Sequence, residues 1–200
     1  ANQPDPQKEQ YLEGENLELA ITLSQVDKLS NVLLSNSGAL LPNDTKFASG
    51  GSGTLIHDDL VLTVAHALDD RQKVSIGLFD QSMDPNAKFW ALSRYGDIGL
   101  VKVDGNIVAN LPEQEISIVD TNVGDGAYHI GSPRQFWLSE GGWWTVGAVS
   151  QGGGSYNSVG SGGMSGGAIY DLDSNIVGVT STTNGGPSGA QASLNDRQDP

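Results

Sequence analysis

Short apolar runs separated by turn residues recur at regular intervals along most of this 200-residue chain. This pattern is typical of β-strands joined by tight turns, and no helical crossover separates neighbouring runs. Strands without such crossovers pair in antiparallel order and form sandwiches or barrels. We therefore expect an all-β fold, with strands at residues 53–57, 60–64, 74–78, 88–92, 98–103, 127–130, 144–149, 167–170, 176–180 and 191–194.

The predicted strands form two groups, separated by a break near residues 104–112. Each group holds about the five or six strands that a small closed barrel needs. The sequence thus predicts an antiparallel sandwich or a pair of small antiparallel β-barrels, one for each group. The first is expected in residues 46–108 and the second in residues 109–200, after an N-terminal extension at residues 1–45.

The N-terminal extension is predicted to be partly helical. Leucine and isoleucine alternate over residues 17–23, which suits a short strand. From Ser24, which can cap a helix, apolar residues recur at helical spacing as far as Gly38, which can end one. A single helix through both segments is the alternative.

Composition excludes several classes of partner and site. A formal net charge of −14 argues against nucleic acids and anionic membranes as partners, because they would be repelled. The absence of cysteine excludes disulfides, thiolate zinc sites and a cysteine nucleophile. The three histidines are scattered, so neither a metal nor a cofactor is expected. Of these, His57 is interpreted as a solvated turn residue and His129 as a strand residue.

Residues 160–168 place Ser165 in a stretch made mostly of glycine. A glycine-rich loop can turn its backbone N–H groups toward a developing negative charge. A serine hydroxyl beside such donors can attack a carbonyl once a base takes its proton. Glycine–serine stretches are more often flexible linkers. A linker rarely leads straight into a hairpin, however, and the apolar runs 168–170 and 176–179 follow at once.

His66 and Asp97 are the candidates for the base and for the group that orients it. His66 follows a predicted strand, where a neutral imidazole can accept a proton. Asp97 begins the apolar run 98–103, where its carboxylate would be partly desolvated and an imidazole N–H would satisfy it. Taken alone, each residue is more often structural. The chain order His66, Asp97, Ser165 strengthens the case for all three together.

Three stretches carry a resemblance to a known family. They are residues 51–66 (GSGTLIHDDLVLTVAH), 97–102 (DIGLVK) and 163–168 (GMSGGA), the last followed by IVGV at 176–179. The chain resembles the chymotrypsin-fold (trypsin-like) serine proteases. It is nearest to their cysteine-free bacterial-type branch, which includes glutamyl endopeptidases and HtrA protease domains. One five-residue match carries little weight, whereas three in the family's order are a strong signal.

The resemblance implies two six-stranded antiparallel β-barrels of the chymotrypsin-like kind and a role for each candidate residue. Ser165 would be the nucleophile, His66 the general base and then the acid, and Asp97 the group that orients the imidazole. The backbone N–H groups of Gly163 and Ser165 would form the oxyanion hole. An extended peptide would pair with the chain at Thr180, Ser181, Thr182 and Thr183, beside a pocket lined by Val159 and Gly160.

Two positions depart from the family's pattern. Met164 stands where many relatives carry an aspartate that binds a freshly cut N-terminal amine, so we expect that activation switch to be absent. Thr180 stands where glutamyl endopeptidases usually place a pocket histidine, and the segment just before Ser165 contains no acidic residue. The pocket is therefore expected to accept a neutral residue, small or apolar, rather than lysine, arginine or glutamate.

The leading hypothesis is a serine endopeptidase that works through an acyl-enzyme, and the alternative is a catalytically silent protease-like fold that binds peptides or proteins. An esterase of the α/β-hydrolase class fits poorly, because that class places its serine before the other two residues. Residues 171–175 have the spacing that opens a calcium loop without its later glycine and glutamate. We interpret them as a hairpin turn, with calcium as a minor alternative.

The expected partners are peptide or protein substrates. We expect a monomer that is secreted or extracytoplasmic.

Overall fold

The computed structural model describes residues 12–35, 50–57, 59–65, 74–77, 83–92, 98–103, 114, 116–117, 121–132, 143–158, 164–183 and 190–192. One helix, α1 (Gly14–Asp27), is followed by a 3-10 turn, Lys28–Ser30. The strands are β1 (Asn31–Ser35), β2 (Gly50–His57), β3 (Leu60–Thr63), β4 (Val74–Gly77), β5 (Met83–Leu92), β6 (Gly99–Lys102), β7 (Gly126–Gly131), β8 (Trp144–Gly152), β9 (Ser155–Asn157), β10 (Ala168–Asp171), β11 (Ile176–Thr183) and β12 (Ala190–Ala192). The predicted all-β fold with a partly helical N-terminal part is confirmed.

The first six strands form one closed antiparallel sheet, in the spatial order β1-β2-β3-β6-β5-β4. Pairing of β1 with both β2 and β4 closes it. The strands β3 and β6 pair over their whole length, from Leu60 opposite Lys102 to Thr63 opposite Gly99. This register brings the end of β3 and the start of β6 to the same edge of the sheet.

The last six strands close in the order β10-β11-β12-β9-β8-β7, also antiparallel. The longest ladder joins β7 to β8, and β7 pairs on its other side with β10. Small and large apolar side chains pack together in this sheet: Ala127, Ala148, Tyr156, Ile169 and Val177. Burial of such side chains is the main favourable contribution to folding.

One apolar cluster joins the two sheets and the helix. The first sheet and the residue after it contribute Leu62 and Val64 to this buried cluster. The second sheet and the N-terminal part contribute the other members named here: Tyr128, Ile130, Val179, Leu12 and Ala20. The two sheets and α1 therefore share a core.

A buried carboxylate fastens α1 to the second sheet. Asp27, the last residue of α1, accepts hydrogen bonds from the hydroxyls of Tyr128 and Ser174, the latter at 2.7 Å from each carboxylate oxygen. Burial raises the pKa of the Asp27 carboxyl above its ordinary value, and the hydrogen bonds from Tyr128 and Ser174 oppose that rise. Burial also raises the pKa of the Tyr128 hydroxyl, which keeps it a donor.

The N-terminal part differs from the sequence-based expectation. The predicted strand at 17–23 is wrong, because those residues lie within α1; the buried face of the helix is formed by Ala20, Ser24 and Asp27, spaced four and three residues apart. The helix predicted from Ser24 toward Gly38 is also wrong, since α1 ends at Asp27 and β1 follows. The segment that we assigned to an N-terminal extension, residues 1–45, thus contributes β1 to the first sheet. In the part of the chain that the structure describes, no helix is long and apolar enough to cross a membrane.

Candidate active site

Ser165 lies on the turn that leads into β10, with its side chain half-buried. Its hydroxyl Oγ lies 3.4 Å from the backbone carbonyl oxygen of Ser181 in β11, to which it donates a hydrogen bond. Its own carbonyl oxygen accepts a hydrogen bond of 2.7 Å from the backbone N–H of Ser52 in β2. The serine is thus held between a strand of each sheet.

The glycine after Ser165 is required by space and by backbone conformation. Gly166 has φ of +92°, a conformation that glycine adopts without steric cost. A Cβ at this position would lie 2.0 Å from the carbonyl oxygen of Ser52 and 2.3 Å from Oγ1 of Thr63. The backbone of the first sheet therefore approaches the serine turn too closely for any side chain at residue 166.

The turn is also joined to β11 by two backbone hydrogen bonds. The N–H of Gly166 donates to the carbonyl oxygen of Thr180 at 2.7 Å, and the N–H of Thr180 donates to the carbonyl oxygen of Gly167 at 2.8 Å. These two bonds fix the turn relative to Thr180 and hence to its neighbour Ser181. A displacement of β11 at Thr180 would therefore move Ser165.

Met164, the residue before the serine, is packed among apolar side chains. Its side chain is fully buried and packs with Val146 and Trp144 of β8. The N–H of Gly167 donates to the carbonyl oxygen of Met164 at 3.1 Å, closing the turn. Apolar packing at residue 164 therefore helps to hold the turn.

Ser52 connects the serine turn to both sheets. Its N–H donates to Ser165, its carbonyl oxygen accepts from Oγ1 of Thr63 at 2.8 Å, and its Oγ accepts from the N–H of Ser132 at 3.1 Å. Ser52 is completely buried. Because Thr63 ends β3, the edge at which β3 and β6 meet lies close to the serine turn.

A buried histidine stands behind β11. His129 of β7 is 1% exposed; its Nδ1 lies 3.1 Å from Oγ1 of Thr180 and its Nε2 lies 3.1 Å from Oγ of Ser158. Oγ of Ser158 also donates to the carbonyl oxygen of Gly147 at 2.8 Å. Sequence reasoning assigned His129 no functional role. The signal available was its place in an otherwise apolar strand, Ala127–Ile130, where a polar side chain needs buried partners.

The predicted site residues fall into two groups. Ser165, Thr180 and Ser181 are described and lie together, and Thr182 and Thr183 continue β11. The others, His66, Asp97, Gly163, Val159 and Gly160, lie outside the described residues. The chain is described up to Ala65, just after β3, and again from Ile98, just before β6. Along the chain, residue 66 therefore comes shortly after the end of β3 and residue 97 shortly before the start of β6. These two strand ends are paired with each other.

The segment with calcium-like spacing forms the turn between β10 and β11. Oδ1 of Asp171 accepts hydrogen bonds of 2.9 Å from the backbone N–H groups of Asp173 and Asn175, so its carboxylate stabilises the turn. Across the described parts of the chain, no three histidine, aspartate or glutamate side chains come together in a group that could hold a metal ion.

The fold has close counterparts among solved structures, although no protein-family model and no curated protein matches the sequence. The serine endoprotease from Yersinia pestis superposes with a TM-score of 0.69 at 18% sequence identity, over 92% of this chain and 63% of that one. The Rv3671c protease, in its inactive form, superposes with a TM-score of 0.69 at 15% identity, over 98% of this chain and 94% of that one.

At these identities the likeness shows the fold alone, a trypsin-like protease fold. The chain spans less than two thirds of the length of the Yersinia structure. The expectation of a chymotrypsin-like architecture is confirmed.

Proposed function

We propose that this protein is a serine endopeptidase in which His66, Asp97 and Ser165 form the catalytic triad. The observation that carries the proposal is the position of Ser165. Its hydroxyl is half-buried on a glycine-rich turn of a trypsin-like protease fold, and the turn is bonded through Ser52 to the edge where β3 and β6 meet. Residues 66 and 97 follow and precede those two strand ends, which supports their assignment as base and orienting carboxylate.

The proposed chemistry proceeds through an acyl-enzyme. Oγ of Ser165 bonds to the substrate carbonyl carbon while His66 takes the hydroxyl proton, and the backbone N–H groups of Gly163 and Ser165 stabilise the oxyanion. The imidazolium then gives its proton to the departing amine as the peptide C–N bond breaks. Water, deprotonated by His66, hydrolyses the ester and restores Ser165. Asp97 holds the imidazole in the tautomer that these steps need.

We propose that the substrate lies extended beside the end of β11, at Ser181, Thr182 and Thr183, next to the nucleophile. On one side β11 pairs with β12 as far as Thr183. On the other side its register with β10 ends at Val179, and Thr180 is bonded to the serine turn, so the substrate backbone would continue the sheet on that side. Main-chain pairing there gives affinity without constraint on sequence, and the residue before the scissile bond would enter the pocket beside Val159 and Gly160. We propose that this pocket prefers a neutral residue, small or apolar.

We further propose that the chain belongs to the cysteine-free bacterial-type branch that includes glutamyl endopeptidases and HtrA protease domains. We propose that it acts as a secreted or extracytoplasmic monomer on peptide or protein substrates.

The second candidate function is a catalytically silent fold that binds peptides. One contact favours it: the hydroxyl hydrogen of Ser165 is directed to the carbonyl oxygen of Ser181 at 3.4 Å, an arrangement in which it is not donated to a base. A hydrogen bond of that length is weak, so a base within reach would displace it. The two candidates therefore differ in whether Ser165 is nucleophilic in solution.

Labelling with a fluorophosphonate separates the two candidates, because the reagent forms a stable adduct only with an activated serine. The protease proposal expects an adduct on Ser165 and none in Ser165→Ala. It also expects His66→Ala to lower peptide turnover by a factor on the order of 10⁴ with the fold intact. Absence of labelling under all conditions would favour the binding fold, and a His66→Ala protein with most of its activity would overturn the assigned base.

A further inference from the structure

His129 is a buried histidine that the proposed chemistry does not use. It lies in β7, in the interior of the second sheet, with 1% of its surface exposed. Both ring nitrogens face hydroxyl groups, Thr180 on one side and Ser158 on the other. A buried imidazole held at both ends has a fixed orientation, and the other hydrogen bonds of its hydroxyl partners restrict where its protons lie.

The hydrogen bonds assign the tautomer. Oγ of Ser158 donates its single hydrogen to the carbonyl oxygen of Gly147, at 2.8 Å, because a carbonyl oxygen can only accept. Toward His129 the same Oγ must then accept, so Nε2 carries the ring hydrogen. In the neutral imidazole Nδ1 is consequently an acceptor, and it receives the hydroxyl hydrogen of Thr180 at 3.1 Å.

This arrangement extends to the nucleophile through Thr180. The side chain of Thr180 is held by His129, while its backbone carbonyl accepts from Gly166 at 2.7 Å and its backbone N–H donates to Gly167 at 2.8 Å. Gly166 directly follows Ser165, and Ser181, which accepts from Oγ of Ser165, directly follows Thr180. A shift of the imidazole would therefore move Thr180, and with it both Gly166 and Ser181, the two residues next to the Ser165 hydroxyl.

We propose that His129, as the neutral Nε2–H tautomer, is a positioning residue for Ser165. It acts by holding the Thr180 hydroxyl, and it leaves the proton transfers of the reaction to other groups. The readout rests on the proposed function, since it uses the reactivity of Ser165. The same geometry ties Thr180 to Ser158, so the imidazole also fixes β11 relative to the chain that leaves β9.

The sharpest test is a matched pair of variants at Thr180, followed by the second-order rate constant for fluorophosphonate labelling of Ser165. Thr180→Val keeps the side-chain shape and removes the hydroxyl, and Thr180→Ser keeps the hydroxyl and removes a methyl group. We expect Thr180→Val to label about tenfold more slowly than wild type, the scale of one lost buried hydrogen bond. We expect Thr180→Ser to stay within about threefold. A role in packing alone predicts the reverse order.

A second pair tests the histidine itself. His129→Gln presents an amide donor and acceptor close together and should retain more labelling than His129→Leu, which has neither. The exposed His57→Gln serves as the control and should label as wild type does. Cooperative urea unfolding of each variant establishes that it is folded, and ¹⁵N chemical shifts of the His129 ring report the tautomer without reference to activity.

The outcomes separate this inference from the proposed function. Slower labelling of Thr180→Val than of Thr180→Ser, with an Nε2–H tautomer, supports the positioning role. Labelling of wild type and Thr180→Val at equal rates, or an Nδ1–H tautomer, overturns it and leaves the protease proposal intact. No labelling of wild-type Ser165 would overturn the proposed function, and this inference with it.

Discussion

Gly166 and Gly124 share a backbone conformation but differ in their surroundings. Their φ values are +92° and +91°. A Cβ at residue 166 would collide with the carbonyl oxygen of Ser52, whereas a Cβ at residue 124 would meet nothing within 4 Å. The pair separates two reasons for which a turn requires glycine, the conformational cost of a positive φ and the close approach of another chain segment.

Alanine at each of these positions should therefore have different effects. Gly124→Ala carries only the cost of the left-handed conformation, roughly 1–2 kcal/mol. Gly166→Ala carries that cost and must also displace Ser52 or Thr63, so we expect it to cost at least about 2 kcal/mol more and to abolish labelling of Ser165. Urea unfolding measures both. If Gly124→Ala and Gly166→Ala lost the same free energy of unfolding, the close contact of Ser52 in β2 with the serine turn would be contradicted.

Met164 offers a test of how the serine turn is held. Met164→Leu conserves volume in an apolar seat and should cost less than about 1.5 kcal/mol. Met164→Asp would bury a carboxylate against Val146 and Trp144, and an unpaired buried charge costs about 3–5 kcal/mol. The free energy of unfolding of the two variants measures the difference. A well-tolerated aspartate would mean that a cation is available to pair with it.

Sequence reasoning singled out Ser165 as the candidate nucleophile and noted Met164 beside it, because both rest on residue type within a recognisable stretch. It did not suggest the positioning role that we propose for His129. Nothing in Ala127–Ile130 reveals that Thr180 and Ser158, far along the chain, supply the two hydroxyls that satisfy the ring.

At the scale of elements, α1 is attached by both apolar and polar contacts. Ala20 and the partly buried Leu17 and Leu23 pack in the shared apolar cluster, while Leu19 and Ile21 are 41% and 48% exposed. The polar attachment depends on Asp27, whose carboxylate accepts from Tyr128 and Ser174. Burial holds the pKa of this carboxyl above the ordinary 3.8, so its ionisation opposes folding.

The sign of the resulting pH dependence follows from linkage. Between the unfolded-state pKa and the raised folded-state pKa, the native protein binds more protons at Asp27 than the unfolded chain does. The free energy of unfolding should therefore fall as pH rises through this window. Asp27→Asn lacks the titration, so wild type should lose stability relative to the variant as pH rises. Urea unfolding at a series of pH values measures the difference.

Glu18→Gln, an acid-to-amide change on the exposed side of the same helix, is the control for this experiment. As pH rises, wild type should lose stability relative to Asp27→Asn but not relative to Glu18→Gln. A difference between wild type and Asp27→Asn that stays constant over the window, or rises with pH, would contradict the raised pKa.

Most strands were predictable and two were not. Apolar runs bounded by turn residues located β2 to β8 and β10 to β12 to within a few residues at most ends, β5 excepted, which begins at Met83 rather than near Lys88. The strand β1 was missed because Val32, Leu33 and Leu34 are all buried, so the run has no alternation and continued an apparent helical period. The strand β9, Ser155–Asn157, is too short and too polar to give a signal.

The helix was misjudged for a related physical reason. Of the four alternating residues, Leu19 and Ile21 are exposed and Leu17 and Leu23 are only partly buried against the core, whereas the fully buried positions of α1 are Ala20, Ser24 and Asp27. Hydrophobic period predicts an element's type only when apolar side chains are the ones that are buried. At α1 a buried hydrogen-bonded carboxylate takes that place.

At the scale of the whole molecule, the two sheets meet at the serine turn. Ser52 bonds to Ser165, Thr63 and Ser132, and the apolar cluster around Leu62, Tyr128 and Val179 lies across the same junction. Such contacts join residues far apart in sequence, and no local pattern encodes them. The sequence provided the candidate residues and their order, and the fold provides the reason that they could meet.

We propose that this molecule cleaves peptide bonds through Ser165, and mass spectrometry of a mixed peptide library incubated with wild type and with Ser165→Ala tests that proposal. We expect new internal cleavages with wild type, enriched in small or apolar residues before the cut, and none with the variant. A folded wild type that produces no cleavage, or cleavages that persist in Ser165→Ala, would contradict it.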